Sequence, residues 1–298
     1  MPTTVEQSTR AKPFLKWAGG KTQLLDEIDC RLPKREIEEG EIDTYVEPFV
    51  GGGAIFFHVA QNYPQFRHFF LFDINKDLVN CYEVVKNNVG LLIEELRRLE
   101  NRYLRTDEVE RKALYYRVRD QFNRDRSPAK LIFLNKTCYN GLYRVNKNNG
   151  FNVPFGGYTN PNICDEDNLR NVSAALKNAE IICADFETAE QNIDRDCFVY
   201  LDPPYRPISP TAAFTSYSKE DFNEKDQIRL ADFCRRINSK DAKFLLSNSD
   251  PKNEIPGDRF FENHYEDFNI ERVKAVRAIN CKGNGRGEIA ELIITNYR

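Results

Sequence analysis

The sequence predicts an α/β fold, an open parallel sheet interrupted by a mainly helical insertion. Three observations predict it. Apolar strand-like runs alternate with helical periodicity between residues 43 and 99, which is the pattern of βα units and a parallel sheet. Strand alternation is then absent between about 100 and 179. Afterwards apolar runs return, and two of them end in an acid, Asp185 and Asp202, as the earlier run ends in Asp73.

Each element follows in order. Asp43 to Glu47 reads as a short strand entering the glycine loop Pro48-Phe49-Val50-Gly51-Gly52-Gly53, with an apolar helix start from Ala54 to Ala60 behind it. His68 to Phe72 reads as the next strand, ending in Asp73. Residues 76 to 99 place Leu78, Val79, Tyr82, Val85, Leu91, Leu92 and Leu96 at helical spacing. Residues 108 to 124 read as a charged helix. Ser127-Pro128 reads as an N-cap and first-turn proline, opening a helix to about Cys138. An Asn/Gly-rich loop runs to Cys164, and Asp165 caps a third helical pattern to Ala179. Glu180 to Ala184, Cys197 to Leu201 and Lys243 to Leu246 read as strands, with a helix over 223 to 237. Residues 269 to 279 and 288 to 296 read as a hairpin. The expected division is a discontinuous sheet domain, 10–100 and 180–298, around a mainly helical insertion at 101–179.

The 298 residues suffice for a large core, with 41% hydrophobic and 30% charged residues. The first ten residues lack the apolar stretch of a signal peptide, and no apolar run reaches spanning length. Eight cysteines stand singly with no Cys-x-x-Cys pair, so no zinc or other metal site is expected. Free thiols without an export signal point to the cytoplasm, with no membrane partner. The net charge of −3 does not advertise nucleic acid, but charge is unevenly spread. Arg126 to Cys164 contains Arg126, Lys130, Lys136, Arg144 and Lys147 and no acid, mixed with asparagines and aromatics. Gln7 to Leu25 and Arg272 to Gly287 are also acid-free and basic. Such segments suit phosphates and base edges, and they predict one cationic face.

Two local features carry the chemistry. The glycine loop lets a ligand approach the backbone, but it is neither Gly-x-Gly-x-x-Gly nor a Walker loop. Asp73 stands 22 residues beyond Gly51, where an acid meets ribose hydroxyls in nucleotide folds. A ribose-binding acid without a phosphate fingerprint favours an adenosine ligand lacking a diphosphate, and S-adenosylmethionine fits. The second feature is Asp202-Pro203-Pro204-Tyr205, directly after the apolar run from Cys197. At a strand's C-terminal end it presents a carboxylate, a carbonyl and a flat ring on a turn that proline fixes. These groups suit a planar base held by its exocyclic amine.

The chain resembles the Dam-type DNA adenine-N6 methyltransferases (D12 class, alpha group), in which cofactor, target-recognition and catalytic motifs follow in that order. The resemblance rests on Lys12 to Lys21, Glu47-Pro48-Phe49 with its glycines, Phe72-Asp73-Ile74-Asn75, Tyr139 to Arg144, Phe151 to Gly156, and Asp202 to Tyr205 with Phe214-Thr215 downstream. It implies a Rossmann-like S-adenosylmethionine-dependent methyltransferase sheet carrying an inserted helical DNA-recognition domain. It also implies that Trp17, Lys21, Pro48, Phe49, Gly51, Asp73, Asp185, Phe186 and Asp202 serve the cofactor, with Asp73 at its ribose and Asp185 near its adenine. Lys16, Tyr139, Asn140, Leu142, Arg144, Pro154 and Tyr158 are implied to face duplex DNA, with GATC as the target. A monomer is expected, either standing alone or paired with a cognate restriction endonuclease. One departure stands out: Gly157 occupies a position where the family often has arginine, which removes a phosphate contact.

The implied reaction suits the residues. Adenine's amine is a poor nucleophile because its lone pair is delocalised into the ring. Hydrogen bonds from its two N–H groups to the Asp202 carboxylate and the Pro203 carbonyl favour a tetrahedral, more nucleophilic nitrogen. Tyr205 is expected to stack on the extruded base, and methyl transfer is a single displacement needing no metal. Arg144 is the candidate for reading guanine, with a phosphate contact as its rival role. The alternatives are an RNA or protein-glutamine methyltransferase, or a non-catalytic DNA-binding regulator. About 150 residues between the glycine loop and the tetrapeptide favour DNA over the former. Intact Asp202, Tyr205, Lys21 and Asp73 argue against the latter.

Overall fold

The apolar runs offered by the sequence pair into a seven-stranded sheet in a computed structural model that describes residues 10–17, 19–206, 222–276 and 288–298. In chain order the strands are β1 (Thr44–Glu47), β2 (His68–Asp73), β3 (Ala179–Cys183), β4 (Cys197–Leu201), β5 (Lys243–Ser249), β6 (Asn269–Val276) and β7 (Glu288–Thr295). Their spatial order is β3-β2-β1-β4-β5-β7-β6. The first five are parallel, and β7 lies antiparallel between β5 and β6. The order reverses between β1 and β4, which sit side by side with Val46 opposite Val199. That switch point is where open α/β sheets bind ligands, and both the glycine loop and Asp202 emerge there.

The helices are α1 (Leu25–Asp29), α2 (Lys34–Glu38), α3 (Ala54–Asn62), α4 (Lys76–Leu104), α5 (Glu108–Asp125), α6 (Pro128–Thr137), α7 (Glu166–Ala175), α8 (Glu224–Ser239) and α9 (Phe260–His264). Pleating divides the core in two. Tyr45, Phe198, Tyr200, Leu245 and Ile293 join a cluster with residues of α3, α4, α5, α6 and α7. Val46, Val199, Leu201, Phe244, Leu246, Leu292 and Ile294 join the other, with α8 and α9. Phe56, Phe57, Phe72, Phe122 and Phe133 are fully buried, each stabilising the fold by roughly 1.5–3 kcal/mol. Asp202 and Ser247 extend the first face past Tyr200 and Leu245, so the site opens under the insertion.

Several expectations need correction. Ser127 does not cap α6 with its side chain; its N–H instead donates to Asp125 Oδ1 at 3.1 Å. The third insertion helix stops at Ala175, a 3-10 turn covers Leu176–Asn178, and β3 begins at Ala179. Asp165 does cap α7, accepting from the Asn168 N–H. The insertion is mainly helical, as expected, and its loop adds β-bridges that join Cys138 to Phe155 and Val145 to Phe151. Both are single pairs, so they leave no run of alternating residues in the sequence. Helix α4 carries the chain across position 100, kinked where Asn88 leaves helical geometry (φ −138°). Among the described residues no helix is long and apolar enough to cross a membrane. Phe214, Thr215 and the basic residues Arg277, Lys282 and Arg286 lie outside the described residues.

Candidate active site

The end of β1 and the end of β2 share one loop. Asp73 accepts the Gly51 N–H at 3.1 Å and the Asn75 N–H at 2.8 Å, so it braces the glycine turn from the neighbouring strand. Asn75 then caps α4 by accepting from Asp77 and Leu78, each at 3.1 Å. Burial pushes the Asp73 carboxyl up to about 6, against the pull of those two amides. Trp17 lies on the loop: a Cβ at Gly51 (φ +48°) would stand 3.1 Å from its indole Cδ1. Phe49 stacks on Phe186 with centroids 5.3 Å apart, and Pro48 is buried beside it. Asp185, at the end of β3, uses Oδ1 for the Glu187 N–H and for Arg229 at 2.9 Å. Trp17, Pro48, Phe49, Gly51, Asp73, Asp185 and Phe186 thus line the C-terminal ends of β1, β2 and β3. Glu47, buried among them, has its carboxyl pushed well up by burial, and the Tyr45 hydroxyl donates to it at 2.7 Å.

Asp202 lies one strand away and is pinned through a single oxygen. Its Oδ1 accepts from Lys21 Nζ at 2.5 Å and from Ser247 Oγ at 3.3 Å, and Tyr200 Oη lies 3.0 Å from that hydroxyl. Among the described residues nothing donates to its Oδ2 or to the Pro203 carbonyl. Gln227 fixes the next turn by donating to the Pro204 carbonyl at 2.8 Å. Burial raises the Asp202 carboxyl, and Lys21 and Ser247 pull it part of the way back. Burial opposes the charge of Lys21, yet Asp202, Tyr205 and Glu291 together outweigh it, and its ammonium is held more tightly than usual. The same ammonium stands 4.7 Å from the Tyr205 ring centroid. Tyr205 is 38% exposed, leaving ring surface open to a partner.

The recognition residues gather on the insertion and on the segment before Trp17. Tyr139 donates its N–H to the Pro154 carbonyl at 2.9 Å, and Asn152 to the Arg144 carbonyl at 3.1 Å. The two expected motifs therefore form one surface, on which Tyr139, Asn140, Leu142, Arg144 and Pro154 are exposed. Trp17 meets Tyr143 of the same loop with centroids 5.0 Å apart. Lys16 crosses Gly141, whose φ of +65° and 2.3 Å clearance to Lys16 Cδ leave no room for a Cβ. Asn135, buried in α6, ties these segments: it accepts the Lys16 N–H at 2.8 Å and donates to the Lys16 and Gly141 carbonyls at 2.9 Å each. Sequence reading missed Asn135, Ser247, Gln227 and Glu291; each is a buried polar residue among other polar residues of its element, a signal visible only once burial is known.

The expected cationic face is narrower than the sequence suggests. Arg126 pairs with Asp77 at 2.9 Å, Lys130 with Asp125, and Arg272 with Asp250 at 2.7 Å and Glu262 at 2.6 Å. Acids elsewhere in the chain thus neutralise basic residues of the acid-free stretches. Lys16 and Lys136 instead line one groove of about 380 Å³ with Tyr158, Thr159, Asn160, Pro161 and Asn162. Lys16 Nζ stands 5.7 Å from the Tyr158 ring centroid. Burial and the neighbouring Lys16 charge lower the Lys136 ammonium, against Asp165.

Comparison with known proteins bears on this arrangement. Residues 17–279 match the D12 class N6 adenine-specific DNA methyltransferases. The chain is 54% identical over 294 residues to the Type II methyltransferase M.MjaIII of Methanocaldococcus jannaschii, covering 96% of this chain and 99% of that one. It is 39% identical to the Type II methyltransferase M1.LlaDCHI of Lactococcus lactis subsp. cremoris, over 96% and 95% of the two chains. It is 34% identical to a DNA adenine methylase of Haemophilus influenzae, over 97% and 95%.

Proposed function

Because the chain belongs to the D12 class of N6 adenine-specific DNA methyltransferases, we propose that it methylates N6 of an adenine extruded from GATC in duplex DNA, using S-adenosylmethionine. The observation that carries this reading is the pair of acceptors left at the end of β4, Asp202 Oδ2 and the Pro203 carbonyl. Adenine's exocyclic amine has two N–H groups to give them. Accepting both draws the nitrogen toward tetrahedral geometry and returns its lone pair. Positive charge grows on the nitrogen as the N–C bond forms and the methyl–sulfur bond breaks, its electron pair staying with the sulfur of the departing S-adenosylhomocysteine, and the buried Asp202 carboxylate stabilises that charge. The surplus proton leaves the nitrogen along its hydrogen bond to Asp202, which burial has made a better acceptor than a solvated aspartate. Tyr205 offers a ring for the base to lie on.

The cofactor side fits its ligand. S-adenosylmethionine, when bound, supplies an electrophilic methyl group on a positively charged sulfur. Asp73 is the acceptor for ribose hydroxyls, and Asp185 retains Oδ2 for an adenine amine while Oδ1 holds Arg229. Trp17, Pro48, Phe49 and Phe186 provide apolar walls, Gly51 admits close approach, and Glu47 closes the floor.

On the same reading, residues 101–179 form the target-recognition unit of the discontinuous catalytic domain. Lys16, Tyr139, Asn140, Leu142, Arg144, Pro154 and Tyr158 meet DNA, and Arg144 reads guanine. The protein acts as a cytoplasmic monomer. Likeness to two chains named Type II methyltransferases supports a restriction endonuclease of the same target as its counterpart. The test is tritiated methyl transfer from S-adenosylmethionine to unmethylated duplexes with and without GATC, beside an Asp202→Ala control. Labelling confined to GATC duplexes, and lost in the control, is expected. Equal labelling of both duplexes removes the GATC assignment, and no labelling of either overturns the reaction.

A further inference from the structure

The ring expected to receive the extruded base is held from behind by a residue far away in sequence. Tyr205 Oη donates to both carboxylate oxygens of Glu291, at 2.9 and 3.1 Å. Glu291 is only 4% exposed. It sits on β7, paired with Ser249 of β5 and Val273 of β6. Because β7 runs against β5, its early residues reach the sheet edge where the parallel strands end, and this brings a carboxylate to the catalytic tetrapeptide. Across the ring stands the Lys21 ammonium, which also holds Asp202. The phenol is therefore fixed at its hydroxyl by an anion and beside its face by a cation.

A buried carboxylate is costly unless its hydrogen bonds are made, and a bond from a hydroxyl to an ionised acceptor is among the stronger ones. Tyrosine also has a free torsion about Cα–Cβ that the two prolines do not restrain. A bond at the far end of the side chain restrains it. We infer that Glu291 is a positioning residue for the transfer reaction: it fixes the Tyr205 ring as the platform for the extruded adenine, and so couples the β6–β7 hairpin to base capture. This rests on the base-extrusion reading above, with Tyr205 beneath the base. Glu291 touches neither the base nor the methyl donor in this role, so its loss acts on the site chiefly through Tyr205, its hydrogen-bond partner.

The experiment uses the full chain and a duplex bearing 2-aminopurine at the methyl-accepting position, whose fluorescence rises when the base leaves the stack. Glu291→Ala, Glu291→Gln, Tyr205→Phe and the double variant Glu291→Ala/Tyr205→Phe are compared with the unsubstituted protein. Glu291→Ala and Tyr205→Phe are each expected to lower the fluorescence gain and, on the matching duplex with adenine at that position, whose N6 amine 2-aminopurine lacks, to reduce kcat about tenfold. The KM for S-adenosylmethionine is expected to stay unchanged. Glu291→Gln, which keeps an acceptor oxygen, is expected to restore most of the gain, and the double variant to be no worse than either single one. Tyr205→Phe removes one oxygen atom only, so it tests the bond even if Glu291→Ala does not fold. Multiplying losses in the double variant, or a Tyr205→Phe protein with the full fluorescence gain, overturns the inference while leaving base extrusion intact. No gain with the unsubstituted protein overturns base extrusion itself, and this inference with it.

Discussion

Lys21 places its ammonium 2.5 Å from Asp202 Oδ1, so the carboxylate proposed to activate the target is paired before any target arrives. The pair spans 181 residues of chain and joins the N-terminal segment to the end of β4. Burial raises the Asp202 carboxyl and the ammonium opposes that rise. Removing the cation by Lys21→Met lets the carboxyl rise further, which lowers its ionised fraction at neutral pH. Because the ionised form is the acceptor, activity at pH 7.5 is expected to fall on the order of 10²-fold. The acid limb of the pH–rate profile moves to higher pH. A limb that stays in place refutes this account.

Asp73 makes a second pH-dependent prediction. Its carboxyl is pushed up to about 6 by burial, above the ordinary aspartate value of roughly 3.9. A ribose hydroxyl donates to the ionised form, so binding below pH 6 must first displace a proton. Affinity for S-adenosylhomocysteine is expected to be flat above about pH 6 and to fall roughly tenfold per pH unit below it. Calorimetric titration between pH 5 and 8 measures this, and a level profile contradicts it.

Asn135 makes three hydrogen bonds from inside α6, two of them to Lys16. Asn135→Ala leaves one N–H and two carbonyls without their partner. The expected loss of stability is about 2–4 kcal/mol, read from urea unfolding. Duplex affinity should fall as well, because Lys16 loses its anchor. Unchanged stability means water replaces the amide at no cost.

Lys16 and Lys136 share a groove, whereas Arg126 and Lys130 are already paired with acids. Lys16→Ala and Lys136→Ala are each expected to reduce the slope of log affinity against log salt by about 1. Arg126→Ala and Lys130→Ala should leave that slope unchanged. The measurement is fluorescence anisotropy with labelled duplex over a range of salt. A slope that responds to Arg126 shows that its bond to Asp77 opens for DNA.

Arg144 is exposed but not idle: its Nε donates to Asn152 Oδ1 at 2.7 Å and its Nη2 to the Asn152 carbonyl at 3.3 Å. This fixes the guanidinium plane while Nη1 is left for a guanine edge. Arg144→Ala is expected to relax sequence preference by about tenfold or more with a smaller effect on transfer at saturating DNA. Methylation rates on GATC and on duplexes with one changed base pair decide it. Equal losses on all duplexes assign Arg144 to phosphate.

The parallel half of the sheet was legible because each strand is an apolar run with its acid directly after it. Asp73, Asp185 and Asp202 could be named from local pattern alone. The bracing of Gly51 by Asp73 was not legible, since it depends on β1 lying beside β2. Charge misled for a similar reason. Arg126 looks unpaired along the chain, but Asp77 reaches it from the start of α4. Glu291 was hidden because β7 has no clean alternation of polar and apolar residues to mark which way it faces: Leu292, Ile293 and Ile294 follow it directly. Only the insertion of β7 between two earlier strands turns it toward Tyr205.

The position of β7 also sets an order of events during synthesis. It is made after β6 yet occupies the place between β5 and β6. Until residues 288–295 leave the ribosome, β5 is an open edge and β6 has no neighbour in the sheet, a state prone to wrong pairing. A chain broken off before that point also leaves the Tyr205 hydroxyl without its acceptor. Synthesis of β7 and closure of the sheet beside Tyr205 are thus the same step, so a product cut off before residue 288 lacks both a central strand and the acceptor for the Tyr205 hydroxyl.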